Sequence, residues 1–294
     1  MKHTFLILTT LSFTCSLSAQ FGGGPQSRVE TKTIQSKVLN ADRDYNIFLP
    51  KSYEMDVNKK YPVLYLLHGM NDTNLGWYMR GHLKDVADQL IASGEACEMI
   101  IVTPNAGGNV YEGAWNGYFD MPGWKYETFF YTEFLPYIEK TYRIIGDKQH
   151  RAIAGLSMGG GGATAYGQRH SELFTAVYAM SALMDIPEMG GPPPSQNESD
   201  KMAILTKSVQ EQSCVKYVAN ADEARKVQLR TVQWFVDCGD DDFLLDRNIE
   251  FTQAMRAAQI PCEFRIRDGG HTWEYWHSAL YTCLPYVTRC FYVK

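Results

Sequence analysis

The sequence predicts an α/β fold, a mostly parallel central sheet with helices on both faces. Three observations carry that prediction. Short apolar runs recur through the chain: "YPVLYLLHG" (61–69), "EMIIVTPN" (98–105), "HRAIAG" (150–155), "TAVYAMS" (175–181), "TVQWFVDCG" (231–239) and "PCEFRIRDGG" (261–270). Most are continuous instead of alternating, as strands covered on both faces are. Helix-length segments lie between them, and strands alternating with helices build parallel sheets.

The elements follow in order from the N-terminus. "MKHTFLILTTLSFTCSLSAQ" has a basic end, an apolar run over residues 5–13 and small residues at Ser16, Ser18 and Ala19. That is the layout of a signal peptide over residues 1–20, and the run is too short for a membrane span. A lipid anchor on Cys15 is the weaker alternative, because Phe13 and Thr14 are not small. Residues 21–27, "FGGGPQS", read as a flexible lead-in. "VETKTIQS" and "RDYNIFLP" alternate polar and apolar residues and read as an antiparallel start. Helices are expected over residues 82–93, 127–142, 158–169, 246–259 and 274–287. "MDIPEMGGPPPSQNESDK" (184–201) excludes regular structure through Gly190, Gly191 and three consecutive prolines. It opens an insert over residues 184–228, either a lid or a surface excursion.

At 294 residues and 45% hydrophobic content, the chain has enough apolar mass for one domain over residues 28–294. The net charge of −5 becomes more negative once Lys2 is removed, and nothing in it argues for nucleic acid or an anionic membrane surface as partner. Without Cys15 six cysteines remain, Cys97, Cys214, Cys238, Cys262, Cys283 and Cys290. An even number in an exported chain predicts at least one disulfide of undetermined connectivity, and none of the spacings is that of a zinc site. Oligomeric state leaves no signal in the sequence.

Chemistry concentrates around "AGLSMGGGG". Gly155-Leu156-Ser157-Met158-Gly159 follows one apolar run and opens a predicted helix, the strand-turn-helix context of a nucleophile elbow. Glycines on both sides of Ser157 let the sharp turn close without a clash, and the helix start aims free N–H groups at charge developing beside the serine. Passive tight packing is the bland alternative. The match of residues 160–165 to G-x-G-x-x-A is a weak dinucleotide signal, because it begins inside the helix.

A serine hydroxyl needs a base and the base an orienting acid. His271 lies in a glycine-containing loop after the last apolar run, and Asp240, Asp241 and Asp242 follow the run before it. Spacing alone does not choose among the three aspartates. Serine, acid, histidine is the chain order of an α/β-hydrolase. "LLHGMND" ends an early strand in His68-Gly69, so the amides of Met70 and Met158 fit an oxyanion hole. Aromatic residues cluster near the strand ends, and Trp115, Tyr118 and Trp273 are the expected substrate contacts.

"YNIFLPKSY", "YPVLYLLHGMNDTNLGW", "AGLSMGG", "CGDDDFLLDRN" and "GGHTWEYW", in that order, resemble the secreted feruloyl and acetylxylan esterases of the first carbohydrate esterase family, within the esterase D group. The resemblance spans nearly all of residues 28–290 and implies an α/β-hydrolase fold. It selects Asp242, three residues after Gly239, as the acid, and Met70 as an oxyanion amide. It does not extend to residues 184–228. It implies a secreted or periplasmic serine esterase that acts on feruloyl or acetyl esters of plant cell-wall xylan through an acyl-enzyme, with no metal or organic cofactor. Acyl transfer to an alcohol, hydrolysis of other small esters and non-catalytic carbohydrate binding are the alternatives. The intact Ser157, Asp242 and His271 argue against the last.

Overall fold

The computed structural model describes residues 26–187 and 200–292. An eight-stranded sheet runs through it, made of β1 (Arg28–Ser36), β2 (Ala41–Leu49), β3 (Val63–Leu67), β4 (Ile100–Pro104), β5 (Arg151–Leu156), β6 (Ala176–Met180), β7 (Gln233–Gly239) and β8 (Glu263–Arg267). In space the order is β1-β2-β4-β3-β5-β6-β7-β8. β1 pairs antiparallel with β2, and β2 with β4; all later pairings are parallel. The antiparallel start, the parallel body and every predicted strand are present.

The continuous apolar runs have a direct explanation in β3. Val63, Tyr65 and Leu67 enter one core, while Leu64 and Leu66 enter a second core on the opposite face. Period-two alternation is retained, but both faces meet helices, so no position is left polar. The first core takes Phe130, Phe134 and Tyr166, and the second takes Val86, Leu90, Leu280 and Val287.

The helices of six residues or more are α1 (Leu83–Ser93), α2 (Leu135–Thr141), α3 (Met158–Arg169), α4 (Lys201–Glu211), α5 (Cys214–Ala219), α6 (Glu223–Leu229), α7 (Leu245–Ala257) and α8 (Trp273–Tyr292). A helical turn Tyr126–Phe129 and a π-helical segment Phe130–Phe134 lead into α2. α8 runs past the predicted end at residue 287, because Cys290 and Phe291 continue its buried stripe. No helix among the described residues is long and apolar enough to cross a membrane.

The insert contains helices that the sequence reading left out, and the expected disulfide needs correction. Within the 184–228 insert, the described part from residue 200 is mostly helical, with α4, α5 and α6 capped by Asp200, Ser213 and Asp222. Each of these side chains accepts from backbone N–H groups in the first turn, the local signal that marks a helix start. The segment is tied down: Cys214 N–H donates to the Met184 carbonyl, and Gln168 on α3 donates to the Cys214 carbonyl. The glycine-proline run at 188–199, the expected signal peptide at 1–20 and the first part of the lead-in, 21–25, lie outside the described residues.

The expected disulfide is also absent among the described residues, where all six cysteines are free. Cys214 sits between α3 and α5 with its thiol on the Gly161 carbonyl, Cys97 meets Thr288, and Cys238 is buried on β7. Burial pushes the Cys214 and Cys238 thiols up to about 12, so they act as small apolar core groups.

Candidate active site

In a parallel sheet the loops at the carboxyl ends of the strands share one edge. There His68 directly follows β3, Ser157 directly follows β5, and the loops after β7 and β8 carry Asp242 and His271.

Ser157 occupies the single residue between β5 and α3, at φ 54° and ψ −122°. A non-glycine residue is strained in this conformation and persists only where its surroundings fix it. Here the Ser157 N–H donates to the Met180 carbonyl at 2.9 Å, and the Ser157 carbonyl accepts from Gly161 N–H at 3.0 Å and Leu183 N–H at 2.9 Å. A Cβ on Gly155 would stand 2.3 Å from the Gly159 carbonyl oxygen, and one on Gly159 would stand 2.4 Å from the His68 carbonyl oxygen. The turn closes only because neither residue has a side chain.

His271 Nε2 lies 3.0 Å from Ser157 Oγ, and its Nδ1 lies 2.9 Å from Asp242 Oδ2. The Nδ1 proton therefore faces the carboxylate, which leaves Nε2 free to accept the serine proton. Asp242 is 4% exposed. Burial would raise its pKa, but hydrogen bonds from His271, the Leu244 N–H and Ser181 outweigh that and hold it below the ordinary aspartate value. Trp276 Nε1 donates to Ser181 Oγ at 3.0 Å, so a short polar relay backs the carboxylate. Asp240 instead accepts from Gly269 N–H at 3.0 Å, while Asp241 is exposed.

Met158 opens α3, so its N–H has no carbonyl one turn earlier to bind. Gly69 lies beside the serine, where an added Cβ would come within 3.6 Å of Ser157 Cβ. His68 is fully buried, and its Nδ1–H donates to the Gly69 carbonyl at 2.8 Å while its Nε2 accepts from Ala106 N–H at 2.9 Å. These bonds fit a neutral ring, and burial lowers the His68 pKa in the same sense. Because the peptide is planar and trans, fixing the Gly69 C=O turns the Met70 N–H the opposite way. Met70 itself is 40% exposed.

The three expected aromatic contacts fall into different places. Trp273 is half-buried, edge-on to Trp77 at 5.4 Å and to Trp276 at 5.3 Å, and Trp276 in turn meets the His271 ring at 4.9 Å. Trp115 stacks near Trp124 at 6.5 Å beneath the ammonium of Lys201, at the start of α4. Tyr118 requires correction. It is 1% exposed, its hydroxyl donates to the His68 carbonyl at 2.9 Å, and a Cβ on Gly162 would meet its ring at 2.9 Å. Tyr118 is a wall behind the His68 strand end, and the long glycine run accommodates it. Sequence reasoning missed Phe243, which is 75% exposed with its ring 4.5 Å from His271. The signal was available, since Phe243 adjoins Asp242.

A serine hydroxyl on an imidazole, a carboxylate behind it and amides beside it form the apparatus for acyl transfer. A family profile described as "Putative esterase" matches residues 36–287. A solved ferulic acid esterase is 74% identical, with a TM-score of 0.87 over 90% of this chain and 99% of that one. A ferulic acid esterase from Anaeromyces mucronatus, solved in complex with ferulic acid, is 22% identical with a TM-score of 0.68 over 88% of this chain and 90% of that one. The endo-1,4-beta-xylanase/feruloyl esterase of Xylanibacter ruminicola is 26% identical over 86% of this chain, which spans 30% of that protein's length. With the profile running from the end of β1 to within α8, across the four strand ends that carry Gly69, Ser157, Asp242 and His271, the chain belongs to the esterase family and is an ester hydrolase with an α/β-hydrolase fold.

Proposed function

We propose that the protein is an exported serine esterase that releases feruloyl groups from plant cell-wall xylan through an acyl-enzyme. The observation that carries the mechanism is the hydrogen-bonded line from Ser157 Oγ through His271 to Asp242. Ser157 Oγ attacks the ester carbonyl carbon as its proton passes to His271 Nε2. The Met70 and Met158 amides hold the oxyanion, the bond to the alcohol breaks, and His271 returns its proton to the departing oxygen. Water then repeats the sequence and frees the acid. Asp242 orients His271 and stays ionised throughout.

The aryl acyl group is supported by the identity to a ferulic acid esterase and by the aromatic surroundings at Trp273 and Trp115. Phe243 supports a sugar alcohol as the leaving group. His271 delivers its proton to that alcohol, and an exposed ring beside His271 can stack on a sugar face. Export rests on the leader sequence over residues 1–20.

The test is a side-by-side assay of methyl ferulate, methyl p-coumarate, acetylated xylan and simple alkyl esters, with Ser157→Ala as control. The expected outcome is preference for the feruloyl ester and loss of activity by several orders of magnitude in the folded variant. A strong preference for acetylated xylan would reassign the protein as a deacetylase. Wild-type turnover in a folded Ser157→Ala protein would remove the mechanism.

A further inference from the structure

We propose that the buried Asp237 carboxylate is a positioning residue for His271, clamping both stems of the loop that carries it. The proposal rests on the reading of His271 as the general base. Asp237 is fully buried near the end of β7, paired with Met180 of β6 on one side and Arg265 of β8 on the other. It lies five residues before Asp242 on the same chain segment.

Its carboxylate has three partners. Tyr178 Oη donates to Oδ2 at 2.7 Å, Tyr275 Oη donates to Oδ1 at 2.5 Å, and Arg267 Nε approaches Oδ1 at 3.2 Å. Arg267 is the last residue of β8 and Tyr275 stands in the first turn of α8, so they flank the His271 loop. The loop between them contains Gly269 and Gly270, which confer no stiffness of their own. Arg267 closes the clamp: its Nη2 donates to the Tyr275 carbonyl at 2.9 Å, its Nη1 to Ser278 Oγ at 2.5 Å, and its guanidinium lies 3.7 Å from the Tyr275 ring centre. One anion on β7, the strand next to the sheet edge, thus fixes where the loop leaves the sheet and where it enters α8.

A buried carboxylate with two hydroxyl donors and a guanidinium is also a plain stability element, and the two tyrosines separate the roles. Both donate to the same carboxylate, but Tyr178 belongs to β6 and meets α8 at Tyr286, about three turns beyond the His271 loop, whereas Tyr275 is itself a stem. If the clamp positions His271, Tyr275→Phe lowers kcat by at least about tenfold, within the cost of about 100-fold for a 1 Å misplacement of a catalytic group, and leaves KM near wild type. Tyr178→Phe lowers Tm by a similar amount and leaves kcat near wild type. Asp237→Asn, which keeps the shape but removes the charge facing Arg267, falls below Tyr275→Phe in kcat. The rate at which a fluorophosphonate labels Ser157 follows kcat across the series.

The experiment measures kcat, KM, labelling rate and Tm for wild type and the three variants on one soluble ester. Equal kcat losses in the two tyrosine variants, or none in either, would overturn the proposal. Wild-type protein that does not label at Ser157 would overturn the nucleophile reading beneath it, an outcome visible before any variant is made.

Discussion

Asp240 and Asp242 are two residues apart and carry the same side chain, yet their partners differ in kind. Asp242 accepts the Nδ1 proton of His271 and the Leu244 N–H, while Asp240 accepts only a backbone N–H of the neighbouring loop. An asparagine at 240 still offers an oxygen to Gly269, so Asp240→Asn should leave turnover nearly intact. Asp242→Asn offers an amide that favours the wrong imidazole tautomer, and turnover should fall by about 10⁴-fold. Stability gives a second readout. The Asp242 pKa is depressed in the folded state, so its ionisation contributes stability above its unfolded value of about 4, and that contribution is lost as pH falls below it. The difference in Tm between wild type and Asp242→Asn should therefore be present at neutral pH and shrink below about pH 4, as thermal melts across pH can check.

The turn from β5 into α3 works because backbone meets backbone on both sides of the serine. Gly159 faces the His68 and Leu67 carbonyl region, so a methyl group there pushes α3 away from the strand end that carries Gly69 and Met70. Gly159→Ala should destabilise the fold by about 1–3 kcal/mol, the usual cost of overpacking, and lower kcat as well. The same methyl group on Gly94, which has open space around it but a positive φ, should cost only backbone strain and leave kcat unchanged. Chemical denaturation and initial rates on the pair test whether the first turn of α3 tolerates displacement.

Across the whole molecule, the two ends of the sheet differ in kind. The carboxyl end of β5 carries Ser157, while its amino end carries Arg151, buried and bonded to Glu139 of α2 by Nε at 2.6 Å and Nη2 at 2.8 Å. Removing one partner of such a pair strands a charge in the interior, so Glu139→Ala should cost about 3–5 kcal/mol. Because Glu139 stands at the opposite end of β5 from the site, the fraction of protein that remains folded should retain wild-type kcat per active site, counted by fluorophosphonate titration. A kcat loss in folded protein would show that the sheet transmits disorder along its length.

The sequence by itself determined the strands, most of the helices and the identity of Ser157 and His271 as candidates. Those features depend on local pattern: apolar runs, a serine between glycines at a strand-helix junction, and chain order. It did not separate Asp240, Asp241 and Asp242 without a resemblance to known esterases, because loop spacing leaves open which carboxylate turns toward the imidazole. It missed α4, α5 and α6, whose caps at Asp200, Ser213 and Asp222 are present in the sequence but whose short helices are held by packing against the rest of the fold. It set Tyr118 among the substrate contacts, since an aromatic residue in a polar, glycine-containing stretch reads as exposed until the fold packs Gly162 against it. Cysteine parity predicted a disulfide, whereas the fold buries Cys214 and Cys238 in separate places. Asp237 looked like one more residue of an apolar strand, and only the tertiary structure brings Tyr178, Arg267 and Tyr275 to it from three other elements. Backbone periodicity is a local property that a sequence displays directly. Which side chains share a proton or a wall depends on how distant segments cross the sheet, and that is decided only when the chain has packed.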